Sequence, residues 1–382
     1  MTATDAVPAQ SVEGSTEAFA DKIFTALLGT METFGLYLGE RLGWLTALAA
    51  EPLTPAELAA QTQTAERYAV EWLEMQAVYG NVVVIGNDAE DPASRRYALP
   101  PAAAEVLTDE HSLSYLGALP RMFAAVGLHL EDLLTAYRTG GGVSWAQLGA
   151  DARESQAATN RPWFETELGP ALAGVPEVHA VLSAPGCRIA DVGCGEGWST
   201  LALARAYPEA AVTGIDLDEP SVAAARVHAE EAGLSDRVGF SDPDGAGLDQ
   251  PDAFDAAFIF EALHDMPRPV EVLAAVRRAV GAHGLVVIMD EAVADEFTAP
   301  GDVVERAMYG YSTLICLPDG LSSSPSAGTG TVMRRSVLTA YATAAGFAGV
   351  DVLPIQDFAF FRFYRLHRNH DPRQNSPILS ES

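Results

Sequence analysis

Arg188-Ile-Ala-Asp-Val-Gly-Cys-Gly-Glu-Gly-Trp-Ser-Thr200 decides the fold of this chain. The apolar run Ile189 to Val192 ends in three alternating glycines, Gly193, Gly195 and Gly197. Helical spacing follows from Ser199 to Tyr207, and a second apolar run, Val212 to Ile215, ends in Asp216. The pattern is strand, glycine turn, helix, strand, acid. Glycine lets a backbone turn tightly and approach a ligand closely. An acid at the tip of the second strand suits the two hydroxyls of a ribose. A dinucleotide fingerprint would need G-x-G-x-x-G, but Trp198 stands where its third glycine belongs.

The order D-x-G-x-G-x-G from Asp191 to Gly197, with Asp216 after the next strand, resembles the cofactor motif of class I S-adenosylmethionine-dependent methyltransferases. The resemblance implies that Gly193, Gly195 and Gly197 meet the amino-acid half of S-adenosylmethionine. Asp191 would orient the loop or meet the ammonium, and Asp216 would accept from the ribose hydroxyls. Leu217 would pack on the adenine, and Asp244, with Asp242 close by, would accept from its amino group. Glu261 joins the cofactor-binding set on the same ground. Cys194, inside the loop, reads as a small space-filler rather than a nucleophile.

Strands and helices alternate from Arg188 onward, which implies a parallel sheet covered on both faces. Strands are expected at 188–192, 211–215, 237–241, 254–260 and 284–289, with helices near 198–206, 219–232, 269–280 and 334–345. The last two runs, 350–355 and 359–366, are separated only by Gln356 to Phe358. That gap is too short for a parallel crossover, so they form an antiparallel hairpin at the sheet edge. The expected fold class is α/β: a Rossmann-like, seven-stranded methyltransferase sheet with an antiparallel last strand.

Ahead of it, Phe19 to Leu48 has helical periodicity interrupted at Gly29, Gly35, Gly39 and Gly43. Thr54, Pro55 and Glu57 form a capping-box signature for a second helix, and a third runs from Ala65 to Tyr79. Short strands at 82–85 and 96–99 complete a winged-helix pattern. The domains expected are a disordered lead (1–16), a winged-helix dimerisation domain (17–107), a helical linker (108–182), the methyltransferase domain (183–367) and a disordered tail (368–382). No internal repeat is present.

Composition narrows the partners. The chain has 382 residues and a formal net charge of -29, which repels nucleic-acid phosphate and anionic membrane. Through residue 150 there are 7 basic and 19 acidic side chains. The helix that would enter a DNA groove carries Glu66, Glu71 and Glu74 against Arg67 alone, the reverse of what groove reading needs. No run of about 18 apolar residues suggests a membrane span, and no signal pattern precedes Thr16. A cytoplasmic protein is therefore expected. Cys187, Cys194 and Cys316 imply no disulfide framework, and no C-x-x-C or His/Cys spacing marks a metal site.

The fourth strand runs into Phe260-Glu-Ala-Leu-His-Asp-Met-Pro267, and the fifth ends Met289-Asp-Glu291. His264, Asp265 and Glu291 fall where ligands gather in an open sheet, beyond the carboxyl ends of strands. A histidine whose tautomer is fixed by a carboxylate is a general-base arrangement. The trio resembles the His-Asp pair and following Glu of small-molecule O-methyltransferases with this two-domain layout. By that resemblance His264 takes the acceptor's proton and Glu291 orients the ring; Asp265 also reads as a helix N-cap. The run Met308 to Thr331 is expected to be a flap, with Met308, Tyr309 and Tyr311 lining an acceptor pocket. Trp163 is expected either to overhang the cofactor or to pack between domains.

The resemblance implies a homodimer joined through its N-terminal domain and a small-molecule acceptor in natural-product metabolism, with hydroxyl methylation favoured. Two rivals stay open. One is an enzyme of this fold catalysing a rearrangement or decarboxylation. The other is a winged-helix regulator that senses the cofactor.

Overall fold

The computed structural model describes residues 15–85, 94–242 and 248–368. The chain divides into two compact units, Met1–Thr108 and Asp109–Ser382. The expected disordered lead and tail lie almost wholly outside the described residues. So does Asp244.

In the first unit, α1 (Thr16–Arg41) starts on Ser15, whose hydroxyl accepts from the Ala18 N–H. Of the four glycines expected to break this segment, only Gly43 does so, at φ 72° before α2 (Trp44–Ala50). Gly35 and Gly39 are instead buried landing points for α4 (Glu66–Tyr79): the Trp72 indole N–H donates to the Gly35 carbonyl at 2.7 Å. A Cβ on Gly39 would lie 2.3 Å from the Trp72 ring. The capping box forms at the start of α3 (Pro55–Thr62), with Thr54 and Glu57 exchanging side-chain and backbone bonds. Strands β1 (Val83–Ile85) and β2 (Arg96–Ala98) pair antiparallel, and α5 (Pro101–Thr108) closes the unit. Trp44, Leu45, Leu58, Leu73 and Tyr97 form its core.

The second unit opens with α6 (Leu119–Leu128), α7 (Leu130–Thr139), α8 (Trp145–Trp163), α9 (Gly169–Ala173) and α10 (Pro176–Leu182). The helices expected to be a linker thus belong to the same compact unit as the sheet. Then follow β3 (Arg188–Val192), α11 (Trp198–Ala206), β4 (Ala211–Ile215), α12 (Glu219–Glu231), β5 (Val238–Ser241), β6 (Phe254–Phe260), α13 (Pro269–Ala279) and β7 (Val280–Glu291). After α14 (Val303–Tyr311), α15 (Leu317–Leu321) and α16 (Arg335–Ala344) come β8 (Gly349–Val352) and β9 (Phe361–His367).

The seven-stranded sheet has the order β5-β4-β3-β6-β7-β9-β8. Neighbours from β5 to β7 pair parallel, while β9 pairs antiparallel with both β7 and β8. The last strand is therefore inserted between β7 and the edge strand β8.

Successive strand residues feed opposite faces. Phe258 and Phe260 join the core that includes Leu201 and Phe363, whereas Ala257 and Ile259 join the one that includes Leu273 and Leu338. Full burial of each such large apolar side chain contributes about 1.5–3 kcal/mol. Chain order reverses beside β3, so the crevice at the carboxyl ends of β3, β4 and β6 is the place for a ligand.

Residues 308–321 of the expected flap are helical, continuing from Val303. A π-helical turn (Ser312–Cys316) joins α14 to α15. The Val143 N–H donates to the Pro318 carbonyl at 3.1 Å and the Trp145 N–H to Asp319 Oδ1 at 2.7 Å. The Ser/Gly stretch beyond is tied down too, with Ala327 N–H bonded to the Pro267 carbonyl and Gly330 N–H to that of His264. Backbone bonds, invisible in composition, override the hinge reading. No described helix is long and apolar enough to cross a membrane.

Candidate active site

The glycine loop leaves β3 strapped to its neighbour: the Gly193 and Cys194 N–H groups both donate to the Ile215 carbonyl. Gly193 has φ 81°, and a Cβ there would lie 2.5 Å from that of Ala262. Gly195 (φ 51°) differs, because a Cβ there would meet nothing within 4 Å. Its outer face borders the open space of the cleft. Its N–H donates to Asp216 Oδ2 at 2.8 Å, and the Asp218 N–H donates to Asp216 Oδ1 at 2.9 Å. Burial pushes the Asp216 carboxyl up against the pull of these donors. Leu217 beside it is 83% exposed.

Asp191 is sealed under the loop. Its Oδ2 accepts from the Ser199 and Thr200 hydroxyls, both at 2.6 Å, pinning the start of α11 to the end of β3. Its Oδ1 has no hydrogen-bond partner, and burial pushes the carboxyl up to about 6.

The cleft takes in about 550 Å³ including its mouth, and Trp145, Gln156, Asn160, Gly195, Trp198 and Glu261 are among its walls. Glu261 stands at φ 49° just past β6. It accepts from Gln156 Nε2 at 3.1 Å and from Asn160 Nδ2. Burial pushes its carboxyl up to about 7. Gln156 and Asn160 are one helical turn apart on α8, so they share a face. Sequence reading missed both, although that spacing was available.

The other cluster surrounds His264, which is 2% exposed. Its Nδ1 lies 3.0 Å from Asp290 Oδ1 and 3.2 Å from Glu291 Oε2, and its Nε2 lies 3.3 Å from Asp265 Oδ1. Burial alone would lower the imidazole, but the carboxylates of Asp265, Glu291 and Asp290 raise it well above the usual range. Burial also works against ionised Asp290, yet the charge of His264 holds that carboxyl below its ordinary value. Glu291 goes the other way: burial drives it up, and Asp290 adds to the rise. Asp290 Oδ1 also accepts from the Glu291 N–H at 3.1 Å. Asp290 is the residue sequence reading overlooked, though it stands next to Glu291.

Four residues were expected against the acceptor. Tyr311 packs its ring 6.0 Å from that of Phe123; burial first, then Glu261 and Cys316, push its phenol up to about 12. Met308 is buried at 6% exposure. Tyr309 faces Phe297 and lines a separate surface groove with Phe297, Thr298, Ala299, Gly301 and Arg306. Trp163 packs its ring 5.5 Å from that of Phe358, tilted and partly buried against the sheet core.

Residues 189–284 match the family model described as a methyltransferase domain. A 27-O-demethylrifamycin SV methyltransferase of Amycolatopsis mediterranei is 35% identical over 126 residues, covering 33% of this chain and 44% of that protein. The chain spans about two fifths of the length of the first curated relatives it matches, at 41% and 44%. Among solved structures, a mitomycin 7-O-methyltransferase has a TM-score of 0.71 at 21% identity, covering 92% of this chain and 98% of that one. Human N-acetylserotonin methyltransferase has a TM-score of 0.68 at 16% identity, covering 94% and 100%. Residues 189–284 are thus a methyltransferase domain, set in a chain with the fold of these O-methyltransferases.

Proposed function

We propose that this protein transfers the methyl group of S-adenosylmethionine to a hydroxyl of a small-molecule acceptor, in natural-product metabolism. The observation that carries the reading is the open face of Gly195 beside the Asp216 carboxylate, within a methyltransferase domain and at the sheet's switch point. Both fit the proposed cofactor. The loop has room where a side chain would otherwise project, and Asp216 offers a fixed acceptor for ribose hydroxyls. Glu261 would face the cofactor's ammonium, Leu217 its adenine.

When bound, S-adenosylmethionine supplies a methyl group already activated on a sulfonium. What remains for the protein is orientation, which can contribute about 7–11 kcal/mol, and removal of a hydroxyl proton. Its carboxylate neighbours favour the imidazolium, so His264 must first release its Nε2 proton; with Nδ1–H donated to Asp290 it then holds an Nε2 lone pair for the acceptor's proton. Asp265, at 3.3 Å, then stabilises the imidazolium. Titration with S-adenosylmethionine and S-adenosylhomocysteine, followed by an acceptor screen for a methyl mass gain, tests the reading. One S-adenosylhomocysteine per methylated product supports it. Turnover without methylated product would favour a rearrangement or decarboxylation.

The first unit, read as a winged-helix domain, serves pairing rather than DNA. On α4, Arg67 is spent on Glu71, and Glu74 holds Arg95. Phe19, Phe24, Leu27, Met31 and Phe34 on α1 are 42–61% exposed, an apolar stripe of the kind that marks an interaction surface. A second copy would cover it. Light scattering of the full chain checks this: a monomer at micromolar concentration sinks the pairing, and a low-salt gel shift would revive the regulator.

A further inference from the structure

On the proton-accepting side of His264 a thiol that methyl transfer does not use, that of Cys316, joins the imidazole and the Asp265 carboxylate. His264 Nε2, Asp265 Oδ1 and Cys316 Sγ all lie within 4.8 Å of one another. Nε2 and Oδ1 are 3.3 Å apart, about the edge of a tetrahedron with metal–ligand bonds near 2.0 Å. Asp265 Oδ1 and Thr331 Oγ1, the latter on a residue 2% exposed, have no hydrogen bond of good geometry, and the weak thiol donor of Cys316 stands beside both. Buried polar atoms left open in this way call for an ion, a water or a proton. Cys316 ends the π-helical turn, a distortion that often marks functional positions. On the far side of the ring Nδ1 lies 3.0 Å from Asp290 Oδ1, the outer carboxylate that orients most metal-bound histidines.

We propose that Cys316, His264 and Asp265 form a zinc site whose occupancy switches methyl transfer off. One thiolate, one imidazole and one carboxylate suit zinc, and the sulfur disfavours magnesium and calcium. The Asp290–Glu291 side of the ring has no sulfur, so it is the weaker zinc site. Binding releases the Cys316 thiol proton, and the Nε2 proton as well where His264 is charged, and leaves Nδ1–H bonded to Asp290. Zinc then holds the lone pair that would take the acceptor's proton. The inhibitory half rests on His264 being the base; the zinc site itself does not.

The test uses tag-free full-length protein and zinc chloride in competition with a chromophoric chelator. One equivalent should bind with release of at least one proton, and Cys316→Ser and Cys316→Ala should each weaken binding at least about tenfold, the lower end of losses known for outer-shell changes alone. Unchanged S-adenosylhomocysteine affinity in both variants certifies their folding. Cobalt(II) in place of zinc should give a thiolate charge-transfer band that Cys316→Ser abolishes. No zinc uptake, or equal uptake by wild type and both variants, overturns the site. With an acceptor in hand, saturating zinc should cut turnover at least tenfold, reversibly by chelation. Turnover that persists with zinc bound rejects His264 as the base and leaves the zinc site standing.

Discussion

Asp191 at the end of β3 and Asp290 at the end of β7 are 0% and 1% exposed on the same sheet, yet their carboxyls move in opposite directions. Asp191 meets two neutral hydroxyls, which satisfy one oxygen but cannot offset the loss of water, and it rises to about 6. Asp290 meets an imidazole that can carry charge, and it falls. Burial is common to both; the partner decides the sign. Neutral donors make an anchor. A titratable partner makes a group poised to move a proton.

The comparison breaks first at His264. Replacing it with alanine should lower kcat by about 10²–10⁴-fold, the usual worth of a positioned general base, with S-adenosylhomocysteine affinity unchanged by calorimetry. Turnover equal to wild type would make the β7 cluster as purely structural as the β3 anchor. Next comes the choice between two acids. Asp290→Asn should lower unfolding stability in urea by about 3 kcal/mol, the low end for removing one partner of a buried ion pair, because Glu291 stands 3.2 Å from the same nitrogen. Glu291→Gln should cost under about 1 kcal/mol, since burial and Asp290 already push that carboxyl toward its neutral form. The reverse order would mean that Glu291 carries the charge. On the anchoring side, Asp216→Ala should weaken S-adenosylhomocysteine by about 1–3 kcal/mol through loss of a charged acceptor, and leave the kcat of saturated enzyme near wild type.

Local spacing made the anchor legible. The glycines, Asp191 and Asp216 sit within one strand-turn-helix-strand unit, and short-range geometry fixes what each can reach. The β7 end was legible only in part. Alternation along a strand sends neighbours to opposite faces, a rule that selects one acid; Asp290 and Glu291 both reach His264 beyond Met289, where the pairing of β7 with β6 ends. Helical residues were harder still. The segment after Tyr311 was misread because its place depends on partners far back along the chain, the backbone N–H groups of Val143 and Trp145 among them. Gly35 and Gly39 look like breaks in sequence but receive Trp72 in the fold.

Glu261 gives the finest test, because it lies between the two cases. Its donors, Gln156 and Asn160, are neutral amides like the hydroxyls on Asp191, and it too is pushed up, to about 7. Unlike Asp191 it opens on the cleft, so a cationic ligand can supply the charge that its protein partners lack. The sign follows. A raised carboxyl is neutral below pH 7 and attracts no ammonium; above pH 7 it is ionised and does. S-adenosylhomocysteine affinity should therefore climb between pH 6 and 8 and level off above. The slope should not exceed about tenfold per pH unit, the limit for one proton. Glu261→Gln should flatten the profile at its low-pH value. A flat wild-type profile would mean that the ammonium binds elsewhere and that Glu261, like Asp191, only anchors a helix.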